Sequence, residues 1–272
     1  MNPLAHIMLF LGTLLGQISL PFPGPGMLST PPVSTPCPAT ISGLTFWVKA
    51  DAITGLSDGN SLATWTDQSG NGYNATASGT AEPTYKVNIL NGLPVVRFNG
   101  SSNRMQTAAF NLNQPFSLFV IGMQLAGRNV DTFISDLSGT GFNLTPQYAG
   151  TYNSIWLYVP GGGLYFQPVT LTTYNIAGGE VNGTSSLLDW NGNVGGQLQG
   201  TLGSSGSSGV SIGGNSAGDY LGGDIAEAIV YSQALSTTNR QIIEGYLAWK
   251  WGLETSLPSG HPYYSTPPAC GY

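Results

Sequence analysis

The chain has 272 residues with only 7 Lys+Arg and 13 Asp+Glu, so 7% of it is charged, against roughly 25% in an average soluble domain. Its 41% hydrophobic and 11% aromatic content is enough to build a core, which excludes a disordered chain. The net charge of −6, with the few cations scattered along the chain, excludes a nucleic-acid surface, because phosphate binding needs clustered Lys and Arg.

The first twenty residues hold an apolar run, IMLFLGTLL at residues 7–15. It is too short for a membrane span, which takes about 20 apolar residues. A cleaved export signal would carry Lys or Arg before the run and a small-x-small site after it. Neither is present, so residues 1–20 are expected to be a retained anchor that docks on a partner, with an atypical signal as the alternative. Residues 21–40 are rich in Pro, Gly, Ser and Thr, a composition that favours a stiff, extended linker. The folded domain is expected over residues 41–272.

Cys37 and Cys270 flank that domain almost symmetrically. In a β-sandwich whose first and last strands are neighbours the two can be bridged, given an oxidising setting; the alternative is two unpaired thiols in flexible ends. Between them the pattern is short alternating runs cut by Gly, Asn and Pro, which predicts strands. They are expected at residues 44–49, 63–66, 94–98, 117–124, 132–136, 154–159, 169–176, 186–190, 210–213 and 225–231. The Gly-rich stretches at 161–163 and 203–209 read as flexible turns. One helix is expected over residues 237–251, with Ser236 as N-cap, Ile242, Ile243, Tyr246, Leu247 and Trp251 at helical spacing, and Gly252 as the stop. The fold class is therefore all-β: an antiparallel two-sheet jelly-roll sandwich with one short C-terminal helix, preceded by an extended N-terminal arm.

Four ordered motifs carry a resemblance. They are Gly43-Leu44-x-Phe46-Trp47-Val48-x-Ala50-Asp51, the turn Trp65-x-Asp67-x-Ser69-Gly70-Asn71-Gly72, the strand Pro94-x-Val96-x-Phe98-Asn99-Gly100, and a closing run. That run joins Ile212-Gly213-Gly214, residues 223–231, Ala234-Leu235-Ser236 and residues 245–252. Over about residues 41–264 the chain resembles the laminin-G-like, concanavalin A-like jelly-roll family, in the form common in phage virion and bacterial surface proteins. The family spans many functions.

Asp51 and Asp67, with Asn71, are the positions that the resemblance offers to a structural Ca²⁺, which takes oxygen ligands. The other reading of Trp65–Gly72 is a hydrogen-bonded Asx turn without metal. Glu227 sits among apolar neighbours and is expected to be a buried structural acid paired with a Tyr, a Trp or a backbone amide. Strict alternation puts Asp224 and Glu227 on opposite faces, which argues against paired-carboxylate hydrolysis. His6 and His261 lie where no catalytic triad forms, so no enzyme activity is expected.

Binding is the better candidate. In residues 152–159, Ile155, Leu157 and Val159 form an apolar face, while Tyr152, Trp156 and Tyr158 form an aromatic-polar one. Such rings suit glycans or a protein partner, unless a loop bringing Tyr165 and Phe166 covers them. The combined expectation is a non-enzymatic virion accessory protein, a capsid decoration or a tail component. Residues 1–20 would hold it to other virion proteins, and its partners would include host surface glycans but no nucleic acid and no membrane span. It would be a homo-oligomer on the virion surface; the alternative is an extracellular or cell-surface lectin-like protein.

Overall fold

The computed structural model describes residues 35–271 apart from 126–130, 140, 149–150, 201 and 205, with backbone alone at 147, 148, 151, 152 and 199. The expected anchor at 1–20 and most of the linker lie outside the described residues. A single turn, α1 (Cys37–Thr40), precedes seventeen strands: β1 (Leu44–Lys49), β2 (Thr64–Trp65), β3 (Ala75–Thr76), β4 (Thr84–Leu90), β5 (Leu93–Asn99), β6 (Met105–Gln106), β7 (Phe116–Gln124), β8 (Ile134–Ser135), β9 (Asn143–Tyr148), β10 (Thr151–Val159), β11 (Gly162–Phe166), β12 (Asn175–Val181), β13 (Leu187–Trp190), β14 (Asn193–Gly195), β15 (Gln197–Gly200), β16 (Ser211–Ile212) and β17 (Gly222–Tyr231). The helix α2 (Thr237–Trp251) follows. Among the described residues no helix is long and apolar enough to cross a membrane.

The strands form two antiparallel sheets. The first runs β14-β13-β12-β7-β17-β5-β4, with β1 also on β17; the second runs β15-β11-β10-β9-β8-β16-β6-β3-β2. Ten-residue β17 organises the first sheet. Along one side it pairs with β7, while on the other β5 takes its first half and β1 its second. Two close approaches show which face meets the second sheet. A Cβ at Gly122 would strike Phe133, beside β8, at 2.8 Å, and one at Gly179 would strike Leu157 of β10 at 2.7 Å. Apolar side chains on those inner faces, including Leu118, Val120, Ala228 and Val230 against Ile134, Leu144, Leu157 and Ile212, are fully or almost fully buried.

The helix occupies its expected span. Ser236 accepts the Asn239 N–H through its hydroxyl at 3.3 Å, and Gly252 ends the helix at φ 69°, a left-handed conformation that suits glycine. Ile243, Tyr246, Leu247 and Trp251 are fully buried. Residues 35–40 belong with the sandwich rather than with a free linker: Cys37 and Pro38 are buried, and the Tyr231 hydroxyl donates to Pro38 O at 3.0 Å. Cys37 and Cys270 are joined by a disulfide across a separation of 233 residues. On the loop-entropy model such a closure is worth about 5.5 kcal/mol. Cys37 N–H donates to Gly271 O and Gly271 N–H to Thr35 O, each at 3.1 Å, so the two ends of the domain lie side by side.

Three expectations are corrected. The strand expected at 169–176 forms only from Asn175, and β12 runs on to Val181. Its glycine pair hides it from a propensity reading, yet a Cβ at Gly178 would meet the Phe119 ring at 2.8 Å; bulky neighbours fill the space that side chains would occupy. Gly162–Phe166 is strand β11 rather than a flexible turn. Finally, β17 does not alternate strictly. The register shifts between Ile225 and Glu227, so Ala226 is an extra residue, a β-bulge. Ile225 then shares the inner face with Ala228 and Val230, and Asp224 shares the outer face with Glu227.

Candidate functional site

The bulge removes the face argument against an Asp224–Glu227 carboxylate pair, so the chemistry around each must decide. Asp224 is fully buried. Arg97 grips it with two bonds, Nε to Oδ1 at 2.7 Å and Nη2 to Oδ2 at 2.8 Å, and Tyr174 donates its hydroxyl at 2.6 Å. Burial, then the Asp224 hydrogen bond, pushes the Tyr174 hydroxyl up, so it stays a donor.

Glu227 is also fully buried. Its Oε1 accepts from Trp47 Nε1 at 2.6 Å and Tyr246 Oη at 2.9 Å, and its Oε2 from Lys250 Nζ and Trp251 Nε1, both at 2.8 Å. Four donors fill the lone pairs of an ionised carboxylate. Neither acid is open to a substrate, and each ties β17 to its surroundings: Glu227 to β1 and, outside the sheet, to α2, and Asp224 to β5 and to Tyr174 just before β12.

The Asp51, Asp67 and Asn71 set does not fit a Ca²⁺. Asp67 Oδ1 accepts the N–H groups of Trp47 and Ser69 at 3.0 and 2.9 Å; Oδ2 accepts the Ser69 hydroxyl at 2.7 Å and Tyr73 N–H at 3.0 Å. Asn71 presents donors, its Nδ2 reaching Leu44 O at 3.1 Å and Thr45 O at 2.9 Å. Asp51 is paired with Lys250 at 2.8 Å. Hydrogen-bond donors thus stand where a cation would have to sit, and the motif is the Asx turn that pins β1 to the turn after β2.

The solvent side of the second sheet is different. Cross-strand register links Thr64, Thr76, Gln106, Ser211, Ser135, Asn143 and Tyr158 into one row of direct neighbours across seven strands. The adjacent row, Trp65, Ala75, Met105, Ile212, Ile134, Leu144 and Leu157, is buried and apolar. Period-two alternation has therefore sorted one face to the core and left a polar ladder on the other. Gly214 roofs the middle of that ladder, its carbonyl accepting from the Ser211 hydroxyl at 2.6 Å. The face is left with two flanks.

On one flank lies a groove of about 540 Å³, whose lining includes Thr76, Ser78, Ser102, Arg104, Gln106 and Tyr220. The described side chains that line it are hydroxyl, amide, guanidinium, phenol and methyl groups, and no carboxylate is among them. Gly214 brings two of them together. A Cβ there would lie 3.0 Å from Tyr220 Cδ1 and 3.5 Å from Arg104 Cδ, so glycine lets the ring and the arginine stem close over the backbone. Arg104 is steered further by Nη1 donating to Asn215 O at 2.7 Å.

The other flank holds the aromatic strand. Trp156 is only 4% exposed. Tyr165, its cross-strand partner on β11, stacks on it at 4.4 Å with 15° between the planes. Trp156 Nε1 donates to the Ser154 hydroxyl at 2.9 Å, and the Tyr165 hydroxyl donates to Gln197 at 2.7 Å. Of the two readings of this face, Trp156 follows the covered one: Tyr165 lies over it, although it comes from a paired strand rather than a loop. Tyr158 is half-buried in the polar row, and the Tyr152 side chain lies outside the described residues. Sequence reasoning missed the groove, because its residues come from the two-residue strands β3 and β6 and from loops far apart in the chain.

No protein-family model matches the chain, and no curated protein sequence is similar to it. Solved structures do share its fold. A Trypanosoma rangeli sialidase superposes with a TM-score of 0.53 at 13% identity, over 78% of this chain and 34% of that one. The receptor-binding domain of a botulinum neurotoxin C/D mosaic serotype gives 0.54 at 13% identity, over 74% and 51%. The ligand-binding domain of botulinum neurotoxin serotype D, solved with N-acetylneuraminic acid, gives 0.53 at 15%, over 76% and 52%. The chain therefore spans about a third of the sialidase and about half of the toxin domains. At this identity the likeness establishes the β-sandwich fold.

Proposed function

We propose that this chain is a non-enzymatic, lectin-like module that binds carbohydrate in the groove lined by Thr76, Gln106, Arg104 and Tyr220. The observation that carries the reading is the polar ladder on the solvent side of the second sheet, ending in a groove with a phenol ring beside hydroxyl and amide groups. A sugar offers hydroxyls to such groups and a C–H face to a ring, and a few convergent polar groups in a concave site are what fix a ligand's orientation. The fold neighbour solved with N-acetylneuraminic acid supports the same reading. Catalysis is disfavoured because the groove lacks acids and the buried carboxylates Asp224 and Glu227 are saturated by hydrogen bonds. Carriage of this module on a virion stands as a separate proposal, resting on the resemblance to phage virion proteins for the virion and on the apolar run and Pro-rich linker of residues 1–40 for the attachment.

A glycan array tests the binding. The expected result is retention of at least one glycan class by the wild-type domain, with a loss of about tenfold or more on Tyr220→Ala, the usual scale for removing a central aromatic contact. Equal retention by wild type and Tyr220→Ala would contradict the placement, and an empty array would contradict the function.

A further inference from the structure

We infer that the groove selects anionic sugars, with the ligand's carboxylate or sulfate held by Arg104. This rests on the groove being the sugar site and adds the class of sugar it takes. The observation is one of pairing. Lys49, Lys86, Arg97, Arg240 and Lys250 each have an acidic partner, at 4.0, 2.6, 2.7, 2.9 and 2.8 Å. Arg104 is the one described cation with none, in a chain where 13 acids outnumber 7 bases.

Among the described residues its hydrogen-bond acceptor is a backbone carbonyl, Asn215 O. That bond orients the guanidinium without neutralising it, and the rest of its N–H fork meets no acceptor among the described residues. The acids next in the chain to the lining residues Ala81 and Tyr220 are engaged elsewhere: Glu82 accepts Gly79 N–H at 3.2 Å, and Asp219 accepts Asn215 Nδ2 at 2.8 Å. Packed against Gly214 and beside the Tyr220 ring, the arginine stem is half-buried. A preorganised, partly desolvated guanidinium favours a bidentate anion over water. With no acid among its described lining residues, the groove sets no negative charge against that guanidinium, although the protein as a whole is acidic.

The experiment uses calorimetric titration with lactose, sialyllactose and sulfated lactose against the wild type, Arg104→Gln, Arg104→Lys and Gln106→Ala. Wild type is expected to bind at least one anionic probe about tenfold or more tighter than lactose. Arg104→Gln abolishes that preference, Arg104→Lys restores part of it, and Gln106→Ala weakens neutral and anionic probes alike. Preference for sialyllactose over sulfated lactose identifies a carboxylate as the anion, and the reverse identifies a sulfate. Equal affinity of wild type for lactose and both anionic probes overturns the inference while leaving the groove a sugar site, as does an anionic preference that survives in a folded Arg104→Gln. Failure of wild type to bind any of the three, together with an empty glycan array, overturns both readings.

Discussion

Glu227→Gln is expected to cost about 3–5 kcal/mol of folding stability, the range for removing one partner from a buried ion pair. Four donors converge on this carboxylate from two elements: Trp47 on β1, and Tyr246, Lys250 and Trp251 on α2. An amide cannot accept from all four, because its own N–H₂ would face two donors. Lys250, whose side chain is 4% exposed, would keep only Asp51 as a charged partner. Thermal unfolding should show it as a fall of roughly 6–20 °C for a domain of this size. A change below about 2 °C would mean that the network adds little beyond the apolar packing around it. A cycle with Lys250→Met separates the pair from the Trp and Tyr bonds.

A second large effect is expected where α2 meets the end of β13. Asp189 and Glu244 are both fully buried. Glu244 receives Arg240 Nε at 2.9 Å and faces His261 Nε2 at 2.8 Å. Burial and then the hydrogen bond with Glu244 push Asp189 well above its ordinary 3.8. Burial opposes the Glu244 charge, yet hydrogen bonds from His261 and Asp189 and the Arg240 charge hold it below its ordinary 4.5. Asp189 therefore carries the shared proton and Glu244 the negative charge.

The two shifts have opposite signs in stability. The raised Asp189 contributes stability that is fully present below about pH 3.8 and is lost as pH rises toward its folded value; the lowered Glu244 contributes stability present above about pH 4.5 and lost as pH falls through its folded value. Asp189→Asn replaces a protonated acid with a neutral donor of the same shape. Its stability relative to wild type should rise from pH 4 to pH 8. Glu244→Gln leaves Arg240 without its carboxylate and should cost about 3–5 kcal/mol at neutral pH, a cost that shrinks below about pH 4. Urea titrations across that range check both. A constant offset between Asp189→Asn and wild type at every pH would contradict the assignment of the proton.

What the chain discloses before folding depends on the range of the interaction. The helix was legible because its signals are local: Ser236 at the cap, apolar residues at helical spacing, Gly252 at the stop. Strands β1, β7 and β10 were legible from alternation. The Trp65–Gly72 turn was legible as well, since Asp67 accepts the Ser69 and Tyr73 amides and Ser69 the Asn71 amide, all within a few residues. Strands β11 and β12 were hidden by glycines whose reason lies in other strands: in β12 Leu157 fills the place of a Gly179 side chain and Phe119 that of Gly178, and in β11 a Cβ at Gly163 would lie 3.0 Å from Leu157 O. The bulge at Ala226 could not be read from β17 alone, because it exists only in register with β7.

The site was legible only in part, for the same reason. Glu227 could be read as a structural acid with Trp or Tyr partners, but one of those partners, Trp47, is 180 residues away. The aromatic face of β10 was readable, whereas its cover was an alternative that only pairing with β11 could decide. The groove had no sequence signal at all. Thr76 and Gln106 are paired across two-residue strands, and Tyr220 and Arg104 meet over Gly214 from positions more than a hundred residues apart. No period or motif marks such a set.

The most direct test of the central claim is residue-resolved: amide chemical-shift mapping of the isotopically labelled domain during titration with a glycan retained on the array. The account predicts that the perturbed amides cluster at Thr76, Ser102, Arg104, Gln106 and Tyr220, with those around Trp156 and Tyr165 unmoved. Perturbations centred on β10 and β11, with the groove silent, would contradict it and return the binding surface to the aromatic strand.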